Sequence, residues 1–70
     1  MIELKSYSAV LDKEILIVSI NGIVARLIVD SSIAPHFYRL DGSWSDLAAE
    51  TNMDMESLAD RLDLFVESVL

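Results

Sequence analysis

The chain has 70 residues, a formal charge of −7 and 53% apolar residues. That length supports one domain at most. So short a chain buries a smaller share of its surface than a large one, and its core depends on the apolar content. Five basic residues against twelve acids exclude the basic stripe that phosphate neutralisation requires. The same charge disfavours an anionic membrane surface, and a chain without cysteine has no disulfide or thiol chemistry.

Ile2, Leu4 and Ala9-Val10-Leu11 point to a first strand near Tyr7 to Leu11, with Asp12-Lys13 as the turn after it. Glu14 to Ile20 is apolar and β-branched, which favours a strand. Asn21-Gly22 suits a two-residue type I′ turn, because both residues tolerate positive φ. Ile23 to Val29 returns as the next strand. The turn length fixes the register: Ile20 opposite Ile23, Val18 opposite Ala25, Leu16 opposite Leu27 and Glu14 opposite Val29. These pairs share one face, the expected core. The other face, with Ile15, Ile17, Val24 and Ile28, is more apolar than a solvated sheet face should be.

Ser31 or Ser32 can cap a first helix, with Pro35 in its opening turn and Asp41-Gly42 ending it after Leu40. Ser43-Trp44-Ser45-Asp46 resembles a capping box and opens a second helix from Trp44 to about Thr51, with Leu47 and Ala48 inward. Trp44 reads first as the anchor of that helix on the sheet, and second as a binding hot spot. Asp54 caps a third helix with an apolar stripe of Leu58, Leu62, Phe65 and Val69. The order gives an α+β, winged-helix-like expectation: a three-stranded antiparallel sheet followed by a three-helix bundle, as one domain over residues 1–70.

Catalytic and metal chemistry find little support, and no cofactor is expected. His36 is the only histidine, and a lone histidine reads first as structural or solvated. No second histidine or cysteine stands at ligand spacing. Asp54, Glu56, Asp60, Asp63 and Glu67 read as the solvated face of the last helix. Gly22 and Gly42 are both accounted for by turns, which leaves no phosphate-cradling loop. Asp30-Ser31 resembles the prosthetic-group site of acyl carrier proteins, but those are all helical and here a hairpin leads into Asp30. The opening Met-Ile-Glu-Leu-Lys lacks the basic and apolar regions of a signal peptide, so a cytoplasmic location is expected.

The run Arg26-Leu-Ile-Val-Asp-Ser-Ser-Ile-Ala-Pro-His-Phe37-Tyr-Arg-Leu40-Asp41-Gly42 resembles the PqqD-like family, the recognition elements of peptide-modifying gene clusters. Val29, Phe37 and Leu40-Asp41-Gly42 fall on positions that the family marks. Trp44 to Asp54 is similar to its second helix and turn, and Leu62, Phe65 and Val69 to the spacing of its last helix. The family often has Trp where Phe37 stands and Asp where Arg61 stands. The resemblance is strongest to the stand-alone leader-binding proteins of lasso-peptide clusters.

That resemblance implies a non-catalytic module. It would bind the leader of a ribosomally synthesised precursor peptide by β-strand addition along the third strand, in a groove against the third helix, and deliver it to a leader peptidase or other processing enzyme. The residues it points to are Val24, Ala25, Arg26, Leu27 and Ile28 on the strand, and Ser57, Asp60, Arg61, Leu64 and Ser68 on the helix. Arg26 would meet an acidic leader residue, and Asp60 with Asp63 a basic one. The apolar second sheet face would dock the processing enzyme or a second copy in a homodimer. No nucleic acid and no membrane are expected as partners. The alternative class is a small acidic inhibitor, of phage type, that mimics DNA charge to block a nucleic-acid-binding enzyme.

Overall fold

The computed structural model describes residues 2–35 and 37–70; Met1 and His36 lie outside the described residues. Four strands form one antiparallel meander in the order β1 (Ile2–Val10), β2 (Lys13–Ile20), β3 (Ile23–Asp30), β4 (Tyr38–Leu40). Two helices follow, α1 (Trp44–Thr51) and α2 (Met55–Val69). The fold is α+β, but the expected three strands plus three-helix bundle is corrected to four strands plus two helices.

The β2–β3 hairpin has the register expected of a two-residue turn, with Leu16 opposite Leu27, Val18 opposite Ala25 and Ile20 opposite Ile23. Asn21 and Gly22 both sit at positive φ, 51° and 86°, as a type I′ turn demands. Leu16, Val18, Ile20, Leu27 and Val29 are fully buried on the face that the helices cover, together with Leu58, Leu62 and Val66 of α2. The opposite face carries Ile15, Ile17, Val24 and Ile28 and no helix lies over it.

The correction falls on residues 31–40. Asp30 turns the chain through its side chain, whose Oδ1 accepts from the Ser32 backbone N–H and from the Ser32 hydroxyl. Competition of this kind with the backbone ladder is why Asp and Ser favour turns over helix interiors. After Pro35 only five residues remain before Asp41-Gly42, too few to repay helix nucleation. The segment pairs instead. Asp30 N–H donates to the Phe37 carbonyl at 2.9 Å, and Asp41 N–H to the Arg26 carbonyl at 2.9 Å. Between them Val29, Ile28 and Leu27 pair with Tyr38, Arg39 and Leu40. The alternation suits a strand: Leu40 is buried, Tyr38 half-buried and Arg39 exposed.

The first strand is longer than expected, running from Ile2, and its turn is Leu11-Asp12 rather than Asp12-Lys13, with Leu11 at φ 58°. A bulge between Leu4 and Ser6 shifts the β1–β2 register. β1 lies beyond the helices: on the face that they cover elsewhere, Leu4 and Tyr7 stay 42% and 48% exposed.

Both helices begin on caps legible in the sequence. Ser43 Oγ accepts from Asp46 N–H, and Asp54 Oδ1 from Ser57 N–H at 2.9 Å. Asn52, at φ 60°, closes α1 in the left-handed conformation. Buried Thr51 returns its hydroxyl to the Leu47 carbonyl at 2.8 Å. In α2 the inward stripe is Leu58, Leu62 and Val66, with Phe65 half-buried; Val69, expected inward, is exposed. No helix among the described residues is long and apolar enough to cross a membrane.

Amide hydrogen exchange separates the two readings of residues 31–40. The Asp30 and Asp41 amides should exchange slowly, as the two ends of the β3–β4 ladder. A helix over Ser32 to Leu40 would instead protect consecutive amides from Phe37 to Leu40 and leave Asp30 unprotected.

Candidate functional site

Strand β3 outruns its neighbour. β4 pairs with Leu27, Ile28 and Val29 and leaves the sheet at Asp41, so Ile23 to Arg26 has a partner strand on the β2 side alone. The bonds from Asp30 N–H to Phe37 and from Asp41 N–H to the Arg26 carbonyl show that even-numbered β3 residues turn their backbone groups away from β2. Val24 thus presents its N–H and C=O, and Arg26 its N–H, at a step in the sheet edge.

That step opens into a groove of about 270 Å³ between β3 and α1. Its floor is apolar, with Ile23, Ala25, Leu40 and Leu47, and its walls carry Asp41, Asp46 and Glu50. Arg26 reaches Asp41 with Nη1–Oδ2 at 3.6 Å, both side chains about half exposed. An ion pair this wet contributes little to stability. What remains is an acidic groove beside open backbone.

A second recess, of about 390 Å³, lies farther along the same edge where β4 meets α2. Phe37, Tyr38, Arg39, Trp44, Ala59 and Asp63 line it. The Tyr38 hydroxyl donates to Asp63 Oδ1. Burial first, and then that bond, push the Tyr38 phenol above its ordinary range. Trp44 is half-buried and packs against the core, so it anchors α1 while one side borders the recess.

The residues expected from the sequence are only partly brought together. Val24, Ala25 and Arg26 line the groove. Leu27 is fully buried and Ile28 lies on the outer sheet face, both behind β4. Ser57, Asp60, Arg61, Leu64 and Ser68 are exposed on α2 but border neither opening. The flank of α2 that meets the sheet edge is Ala59 with Asp63, and the helix beside open β3 is α1. The sequence reading missed Asp46, Glu50 and Phe37 as site residues. Asp46 and Glu50 lie four apart and so share one face of α1, a signal that was available. Among the described residues no group of three or more acids or histidines could hold a metal ion.

Two phenols are held up in the folded state. The Tyr7 hydroxyl donates to Glu14 Oε1 at 2.8 Å, and this bond raises its pKa. A raised phenol favours folding below its unfolded pKa, and that contribution is lost as pH rises through the folded value. In Tyr7→Phe, ultraviolet titration should therefore show the remaining phenol, Tyr38, ionising above pH ~10, and Asp63→Asn should bring that midpoint down.

No protein-family model, curated protein or solved structure matches the chain.

Proposed function

We propose that the protein is a non-catalytic module that captures the leader segment of a ribosomally synthesised precursor peptide by strand addition, and presents it to a processing enzyme such as a leader peptidase. One observation carries this reading: β3 projects past β4, so that Val24 and Arg26 offer backbone groups directly beside a groove with an apolar floor. Backbone pairing there supplies affinity, and the groove supplies side-chain selectivity. The likeness to the PqqD-like family supplies the class of peptide. A cytoplasmic location, with precursor and enzyme, goes with this reading.

The wall that receives the peptide differs from the one the family suggests. It is built by α1 through Asp46, Leu47 and Glu50, while the last helix meets the edge only farther on, through Ala59 and Asp63. With Asp41, Asp46 and Glu50 around the step, the favoured segment is basic or neutral rather than acidic. Arg26 is already engaged by Asp41.

A charge mimic of nucleic acid is the second reading, favoured by one feature. Glu56, Asp60, Asp63 and Glu67 recur at four-, three- and four-residue spacing and so form one acidic row along α2.

The first reading is tested at Val24, whose N–H faces away from β2. Val24→Pro removes that donor at an edge position, where proline is tolerated. Fluorescence anisotropy with a labelled leader, taken from the short open reading frame nearest this gene, should show saturable binding that is lost on scrambling. The proline variant should weaken it by about two- to tenfold, the worth of one ordinary hydrogen bond, while unfolding in urea stays close to that of the parent. Equal binding by parent and proline variant sinks strand addition at this step. No leader binding, with tight association to a basic nucleic-acid-binding protein instead, transfers the function to the second reading.

A further inference from the structure

We propose that the aromatic recess between β4 and α2 is a binding site for a cationic side chain, arginine or lysine, carried by the same extended peptide. This assignment rests on the peptide-capture reading and adds a sequence requirement to it.

Three aromatic residues and one carboxylate meet around this opening: Phe37, Tyr38, Trp44 and Asp63. A cation near an aromatic face is attracted by the ring quadrupole, and most by Trp. Asp63 already accepts the Tyr38 hydroxyl through Oδ1, and a carboxylate has acceptor capacity for further donors. Ala59 contributes only a methyl group to the wall and leaves the space open. At about 390 Å³ the recess has the size of a small-ligand site.

Charge selects the occupant. Glu56, Asp60 and Glu67 share the α2 face of Asp63 and add negative potential along the approach. Residues 43–70 hold seven acids against Arg61 as their one base. Arg39 is the one cation among the lining residues, and its place on β4, opposite Ile28, puts it on the outer sheet face. A neutral apolar side chain would fill the same volume but gain nothing from Asp63, and an acidic one would be repelled.

Position ties the recess to the peptide. Tyr38 pairs with Val29, and the open step begins at Val24 on the same strand. Five residues of extended chain span about 17 Å. Beyond the step, Tyr38 and Leu40 turn their backbone groups outward from β3, because Phe37 and Asp41 are the residues bonded to it. A peptide leaving Val24 can follow the edge of β4 and bring a basic residue, roughly five positions on, to the aromatic group.

The test uses two probes identical in shape and different in charge, N-acetyl-arginine methylamide and N-acetyl-citrulline methylamide. Titration is followed by amide and indole NMR, in which Trp44 gives the only indole signal. The arginine probe should shift the Trp44 indole and the Tyr38 and Asp63 amides saturably, and the citrulline probe should not. Phe37→Ala and Asp63→Asn should each weaken the arginine probe by about two- to fivefold. Equal shifts from both probes, or shifts confined to other surfaces, overturn the assignment. A leader peptide with its basic residues replaced by citrulline reports strand addition separately. Unchanged affinity of that peptide overturns the recess assignment and leaves peptide capture standing. An arginine probe that seats in the recess, while no leader binds at Val24, overturns peptide capture alone.

Discussion

The turn at Asn21-Gly22 sets the register of β2 against β3, and through it decides which six side chains are buried. A slip of one residue would carry the inward set of one strand, Leu16, Val18 and Ile20 or Ala25, Leu27 and Val29, to the outer face and leave α1 and α2 half a core to cover. The turn also reaches across the molecule, where the Asn21 side-chain amide donates to the Thr51 carbonyl at 3.2 Å. That carbonyl belongs to the last residue of α1, so the hairpin tip holds the end of the helix that walls the groove. Sheet register, helix position and groove geometry therefore share one local cause.

Much of this was legible in the chain. The hairpin follows from a two-residue Asn-Gly loop between β-branched runs, and both helix starts from Ser43 and Asp54, because each rests on local chemistry. The failure at residues 31–40 has a physical reason too. Ser31, Ser32 and Pro35 satisfy the rules for a helix start, yet the same serines serve a turn closed by Asp30. The contest is settled by pairing partners far away in sequence, Leu27 to Val29, which no local rule weighs. The expected site was placed on the same reading. With β4 placed as a helix, Leu27 and Ile28 seemed to lie on an open edge; with β4 in the sheet, the open length shrinks to the step at Val24 and Arg26. The α2 flank at the recess differs from the expected one, which followed from a stripe read as Leu58, Leu62, Phe65 and Val69. Val66 is the buried member, and the axis of the inward face turns accordingly.

Charge is divided between the two layers. Lys13, Arg26 and Arg39 all lie on the outer sheet face, while the helices and the Asp54 cap hold seven of the twelve acids. Attraction across the domain is modest at these exposures, but the division gives the molecule two unlike faces. One is apolar with a scatter of cations, around Ile15, Ile17 and Ile28; the other is acidic and bordered by the open sheet edge.

The two edges of the sheet differ in a way that bears on which one works as a binding edge. β1 is the longer, with nine residues, and no helix stands beside it. It is interrupted by a bulge at Lys5, and Lys5 pairs with Glu3 at 3.2 Å. Bulges and lysines are the devices by which exposed edges avoid pairing with other chains. The opposite edge carries neither a bulge nor a lysine. It is short because β4 covers most of it, and where β4 stops the backbone of Val24 faces a walled groove rather than open solvent. A strand added at β1 would gain hydrogen bonds without selectivity. At the step it gains both, because α1 and the edge of β4 supply pockets on the helix side. On the proposed reading, shortness restricts this edge to a guest that also fits those pockets, and a small acidic domain would then hold one kind of peptide without offering its whole sheet to any unfolded chain.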